Sequence, residues 1–235
     1  MLAASLVARP VFVMTSDQDW APSWAMEHFT RLVAARGVPL HLFRTNPCPV
    51  ADGLAGRGAI TQGWHPNFLP GSSQGSTPSE VVTYCQTHFP KARTVRSHAF
   101  REDTFLWRAL AGAGIVADSQ IPTRFQSHLS PLQHCSGIWR FPVFFEDDVF
   151  LATNGALALD GVDLFSPGLK ILNFHAIHVA NNTPSMEFYE THKQSPMRHE
   201  GRGIESILVE LFDRITAAGH AFVPFESLVD TFIGC

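Results

Sequence analysis

At 235 residues, 45% hydrophobic and 16% charged, the chain is ordinary for a soluble globular protein and long enough for one large α/β domain with a proper core. A formal net charge of -4 offers no basic surface, which argues against nucleic acid as the main partner. No segment approaches the ~18 consecutive apolar residues needed to span a membrane.

The four cysteines (Cys48, Cys85, Cys135, Cys235) are far apart and form no C-x-x-C pair, so they read as free thiols of a reducing compartment. The apolar start, Leu2 to Val13, lacks basic residues at its beginning and contains the first strand pattern. It reads as structure and not as a signal peptide, which makes the cytoplasm the expected location.

Val11-Phe12-Val13 is a buried strand candidate that runs into Met14-Thr15-Ser16-Asp17-Gln18-Asp19-Trp20. Residues two apart on a strand face the same way, so Asp17 and Asp19 should project together from its carboxyl end. Two close carboxylates repel unless a cation or a shared proton relieves them; the bland reading is one helix cap and one solvated acid. Pro22 to Arg36 has helical spacing of Met26, Phe29, Leu32 and Val33 and stops at Gly37.

Val38 to Phe43 is a second strand candidate, and Asn46 to Gly58, with its prolines and glycines, a loop or a short irregular excursion. Ala59 to Trp64 leads to His65 at a strand end, because Pro66 cannot continue a central ladder. After a Gly/Ser-rich loop, Thr77-Pro78-Ser79-Glu80 has the form of a capping box and opens a helix running to about His88.

Thr94 to Phe100 reads as a strand, Glu102 to Ala113 as a helix, and Gly114 to Asp118 as a short strand. Ser119 to Gly137 is loop-like. Ile138 to Phe145 is extended and ends in Glu146-Asp147-Asp148, and Leu169 to Phe174 is a strand finishing at His175-Ala176-Ile177-His178. Asn181 to Glu200 reads as a polar loop, Ile204 to Ala218 as the longest helix, and Ala221-Phe222-Val223 with Glu226 to Phe232 as a last strand and helix. Strand–helix alternation throughout points to one parallel α/β domain over residues 1–235, barrel-like or doubly wound.

Ligand-type residues recur where strands end: Asp17 and Asp19, then His65, then Arg96 and His98, then His175 and His178. Strand ends of a parallel sheet gather at one rim, so these side chains can converge. A lone histidine there is usually structural; four such sites in one chain are not usual. An Asp with two His can hold a zinc-type ion and leave a position for water. A second Asp then takes the water's proton, and another His gives one to the leaving group.

These segments resemble the polysaccharide deacetylases, the NodB-homology proteins or carbohydrate esterase family four. The resemblance rests on Thr15 to Asp19 (T-x-D-x-D), Gly63-Trp64-His65-Pro66-Asn67-Phe68, Arg96-Ser97-His98, Phe145 to Asp148 and Asn173 to His178, in that order. It is nearest to a divergent branch associated with bacterial O-antigen and surface-polysaccharide gene clusters, and it covers nearly the whole chain.

It implies a distorted (β/α)7 barrel and metal-dependent removal of an acyl group, N-acetyl above all, from an acylated sugar that is nucleotide-linked, lipid-linked or polymeric. It makes Asp17 the general base, Asp19 and His65 metal ligands, Arg96 a positioning arginine and His175 the general acid. The family's second metal histidine falls on Leu69, which cannot bind metal; His98, on the face of Arg96, is the expected replacement and His178 the alternative. The acid that holds arginine and base in place falls within Glu146, Asp147 and Asp148. Zn2+ is the expected ion.

Rival patterns are weaker. Gly71-Ser72-Ser73-Gln74-Gly75 fits G-x-S-x-G but lies mid-loop, away from the strand and helix that a nucleophile elbow needs. Gly112-Ala113-Gly114 precedes a strand instead of opening a helix. A sugar-binding or scaffolding protein that has lost catalysis is the main alternative; the presence of Asp17, Asp19 and His175 together speaks against it.

Overall fold

The structure, a computed structural model, describes residues 2–153 and 155–234. Helix α1 (Leu2–Ala8) leads into β1 (Pro10–Asp17), and strand–helix units follow: α2 (Ser23–Ala35), β2 (Leu40–Arg44), α3 (Pro49–Gly56), β3 (Thr61–Trp64), α4 (Pro78–His88), β4 (Thr94–Val95), α5 (Thr104–Gly112) and β5 (Ala117–Asp118). After these come β6 (Leu132–Gln133), β7 (Trp139–Arg140), β8 (Val143–Glu146), α6 (Asp147–Thr153), β9 (Gly168–His175), α7 (Ala176–Ala180), α8 (Met186–His192), α9 (Ile204–Ala217) and α10 (Phe225–Ile233).

β1 is buried along its whole length and pairs in parallel with β2 on one side and β9 on the other. Burial on both faces is why it reads as a near-continuous apolar run. Hydrogen-bonded neighbours run β6-β7-β5-β4-β3-β2-β1-β9-β8, all parallel except the short β6 against β7.

β7 and β8 are one stretch of chain, interrupted at Phe141-Pro142, and this joins the two sides of the sheet. Across the interruption Phe141 N donates to Asp118 O (2.8 Å), Val143 N to Ile121 O (2.8 Å) and Thr123 N to Val143 O (3.0 Å). With 139–146 counted as one irregular strand, seven parallel strands close into a ring. This is the expected distorted (β/α)7 barrel.

The helices cover the ring with apolar faces, Met26, Phe29 and Val33 from α2 and Ile207, Leu208, Leu211, Phe212 and Ile215 from α9. Truncating one such fully buried side chain, as in Leu211→Ala, should cost about 2–5 kcal/mol. The capping box at Thr77 and Glu80 forms as read, with Pro78 at the first helical position.

Two loops expected from composition are helical. Residues 49–56 form α3, started by Pro49 and by Asp52, whose carboxylate accepts from Cys48 N at 3.1 Å. Residues 186–192 form α8, capped by the Ser185 hydroxyl accepting from Phe188 N. In both, caps outweigh a turn-like composition.

The strand expected over Thr94 to Phe100 is only β4 at its start; a 3-10 turn over His98–Phe100 follows. The loop-like 119–137 contains both the ring-closing residues and β6. Cys48 and Cys85 are buried free thiols and Cys135 an exposed one; Cys235 lies outside the described residues. Among the described residues no helix is long and apolar enough to cross a membrane.

Candidate metal and acid–base centre

β1, β3, β4 and β9 end at one rim, where every candidate site residue but one group is delivered; Glu146, Asp147 and Asp148 arrive from the adjoining end of β8 and start of α6. Asp17 is the last residue of β1 and 3% exposed, next to His175, its register partner on β9. The two aspartates do converge, but not by strand alternation. β1 stops at Asp17, and Asp19 and Trp20 take left-handed backbone conformations (φ 43° and 55°).

For non-glycine residues this conformation costs about 1–2 kcal/mol each and persists only where the surroundings impose it. Here Gln18 N donates to Phe43 O, Asp19 N to the Thr45 hydroxyl, and Ala21 N to Gln18 O. The turn aims the Asp19 carboxylate back across the mouth of the barrel.

His65 follows β3, its N–H donating to Arg44 O at 2.8 Å. His65 Nε2 lies 2.9 Å from Asp19 Oδ1, and Nδ1 lies 3.6 Å from Asp17 Oδ1. Neither nitrogen of this buried ring has a hydrogen bond of good geometry among the described residues. His98, on the 3-10 turn after β4, puts Nδ1 2.8 Å from the same Asp19 Oδ1, and the edge of Trp20 packs against its ring.

Asp19, His65 and His98 thus present a carboxylate oxygen and two imidazole nitrogens within 4.8 Å of one another. A buried imidazole with both nitrogens unbonded, aimed at a carboxylate, fits the O,N,N donor set of a zinc-type ion. Burial alone would raise the Asp19 carboxyl, but the adjacent imidazoles of His65, His175 and His98 hold it well below the carboxylate range. The bond to Asp19 raises His98.

Asp17 is gripped from behind. Arg96, fully buried after β4, donates to Asp17 Oδ1 (3.0 Å), Thr15 Oγ1 (3.1 Å), Asn173 Oδ1 (2.5 Å) and both oxygens of Ser119. Asn173 Nδ2 donates to Asp17 Oδ2 at 3.0 Å, so the two carboxylate oxygens are held separately. The guanidinium lies 4.5 Å above the Phe43 ring. That ring needs Gly63 beneath it, where an added Cβ would come within 2.6 Å of Phe43 Cδ1.

None of Glu146, Asp147 and Asp148 supplies Arg96 with the partner expected of them; Asn173 stands there instead. Asp147 takes His175, accepting from its N–H (2.7 Å) and pairing with Nδ1 (2.6 Å), which turns Nε2 into the cleft 3.1 Å from Asp19 Oδ2. Glu146 accepts from Val149 N at the start of α6, and burial pushes its carboxyl well above the usual range. Burial alone would lower the His175 imidazole, but the Asp147 and Asp148 carboxylates raise it well above its ordinary value.

Asp148 pairs with His178 Nε2 at 2.5 Å, so His178 does not stand beside Asp19 as His98 does. The cleft bounded by Asp17, Asp19, His65, His98, Glu146 and His175 encloses about 230 Å³, with Ala99, Phe100 and Val149 as its apolar wall. Sequence reasoning missed Asn173, although it stands two residues before His175 on β9 and so faces the same way. It also missed Thr15, one strand alternation before Asp17.

A (β/α)7 barrel with this rim is the fold of the polysaccharide deacetylases. Residues 14–193, well over half the chain, match the family described as WbmS-like polysaccharide deacetylase, and the chain belongs to that family. A Bordetella bronchiseptica protein assigned to polysaccharide deacetylation in O-antigen biosynthesis has a crystal structure with a TM-score of 0.77 to this one. It is 24% identical in sequence, with 86% of this chain and 90% of that chain covered. A polysaccharide deacetylase structure assigned from Mycobacterium smegmatis covers 92% of both chains at 11% identity, with a TM-score of 0.48. No curated protein matches the sequence.

Proposed function

We propose that this protein is a metal-dependent deacylase that removes an acyl group, N-acetyl above all, from a sugar during assembly of a bacterial surface polysaccharide such as O-antigen. The observation that carries the reading is the convergence of His65 Nε2 and His98 Nδ1 on one oxygen of Asp19, with Asp17 and His175 Nε2 on either side. Membership of a polysaccharide deacetylase family and the assignment of the Bordetella relative support the substrate class. Free Cys48, Cys85 and Cys135 suit a reducing compartment, hence the cytoplasm.

Asp19, His65 and His98 would hold the ion, with zinc the best match to one carboxylate and two imidazoles. The ion supplies Lewis acidity toward the acyl carbonyl and the attacking water. Asp17 accepts the water's proton, its carboxylate oriented by Arg96 and Asn173 so that little reorganisation is needed as the proton moves. His175, protonated and held by Asp147, gives its Nε2 proton to the departing amine nitrogen or alkoxide oxygen. Products are the freed sugar and the carboxylic acid.

The test is acid release from N-acetylated and O-acetylated sugars, free and nucleotide-linked, by zinc-loaded protein. Asp17→Asn should keep the metal and lose release. Metal-loaded protein that binds these sugars without releasing acid would replace the hydrolase with a silent carbohydrate binder.

A further inference from the structure

His178 has no part in the chemistry above, yet its partner Asp148 lines the same cleft. Asp148 Oδ1 lies 2.5 Å from His178 Nε2, while Asp148 Oδ2 lies 3.9 Å from His175 Nε2. His175 Nε2 is in turn 3.1 Å from Asp19 Oδ2. Asp148, His175 and His178 therefore form a second group whose ligand atoms lie within 4.8 Å of one another. Asp19 stands between the two groups, Oδ1 toward His65 and His98 and Oδ2 toward His175.

We infer that Asp148, His175 and His178 form a second, inhibitory site for a zinc-type cation, next to the ion held by Asp19, His65 and His98. This rests on the deacylase reading and adds its regulation. One carboxylate and two imidazoles are the same donor chemistry as the first site. Asp147 bonded to His175 Nδ1 fixes the tautomer that leaves Nε2 toward the cleft, the carboxylate–histidine support usual behind a metal ligand. Tyr189 packs 4.5 Å from the His178 ring and holds its plane. The Asp148 side chain is 44% exposed, so a cation reaches the group from solvent.

The consequence follows from a single lone pair. His175 Nε2 carries either the proton destined for the leaving group or a cation, never both. The first ion leaves that nitrogen free and supports turnover; a second ion occupies it and stops proton donation. Activity should rise with zinc up to one equivalent and fall on further addition.

The experiment is equilibrium dialysis of the full chain against zinc, read by elemental analysis, with acid release followed in parallel. We expect one tight ion and a second at higher free zinc, with release falling at least tenfold as the second binds. His178→Gln should retain the first ion and its activity, and bind the second at least tenfold more weakly, moving inhibition by the same factor. Should that variant fail to fold, cobalt-loaded wild-type protein gives the same reading, since a second equivalent must add its own visible absorption. One ion throughout, with no inhibition by excess zinc, overturns the second site and leaves the deacylase standing. No ion at any concentration overturns the deacylase reading itself.

Discussion

His65 and His98, on different strand-to-helix connections, bring Nε2 and Nδ1 to 2.9 and 2.8 Å from the same oxygen of Asp19. The residue four after His65 is Leu69, a side chain without donor atoms, so the third donor comes from the next connection instead. Purified protein should carry about one zinc-type ion per chain at low free metal. Asp19→Ala and His98→Ala should each lose it on dialysis, and His178→Ala should not. Metal that survives His98→Ala but not Asp19→Ala would move the third ligand elsewhere.

Arg96 and Asn173 act through Asp17, and their loss should separate from loss of metal. Arg96→Lys keeps the charge but not the fork that spans Asp17, Asn173 and Ser119. Misplacing a reacting group by about 1 Å can cost on the order of 100-fold in rate. A fall of roughly that size in kcat, with metal content unchanged and KM little altered, is expected for Arg96→Lys and for Asn173→Ala. Equal loss of metal and of rate would make this pair part of the metal centre's support.

Asp147 should matter only where the leaving group needs a proton. Asp147→Asn removes the carboxylate that holds the His175 ring and keeps its imidazole charged. General acid catalysis is worth about 100-fold or more. The variant should therefore lose about that factor on N-acetyl sugars and only a few-fold on an aryl acetate, whose phenolate departs unassisted. Equal losses on both would assign Asp147 a purely structural part.

Much of this rim was legible because it lies where strands end. Asp17, His65, Arg96 and His175 were readable from apolar runs that stop at polar residues, and a parallel α/β domain from strand–helix alternation, which left barrel and doubly wound sheet open; the barrel came from the family resemblance. What was not legible depends on tertiary context. The approach of Asp19 comes from a left-handed turn held by Phe43 and Thr45, residues about 25 positions away that no local pattern connects to it. α3 and α8 were hidden by proline, glycine and polar residues whose capping role shows only when the helix forms. Ring closure across Phe141-Pro142 depends on residues 118–123 lying alongside, and a proline in a strand reads from sequence as an end.

His41 offers a stability test independent of catalysis. Its ring is 1% exposed below the rim, with Nδ1 2.8 Å from Thr61 Oγ1 and Nε2 2.9 Å from Thr94 Oγ1, so it ties β2 to β3 and β4. Burial, with the charges of Arg96 and Arg93, lowers its pKa to about 3. A histidine whose folded pKa is depressed is neutral when folded and takes up a proton on unfolding. Its contribution is therefore fully present above the unfolded value of roughly 6.5 and is lost as pH falls from there toward about 3. Over that window it should add a slope of about 1.4 kcal/mol per pH unit to the unfolding free energy. Denaturant unfolding of metal-free protein from pH 7 to pH 4.5 measures it, with His41→Gln as the reference. The variant should be less stable at pH 7 yet lose stability more slowly on acidification. Parallel pH dependences for the two proteins would mean that His41 is protonated in the folded state.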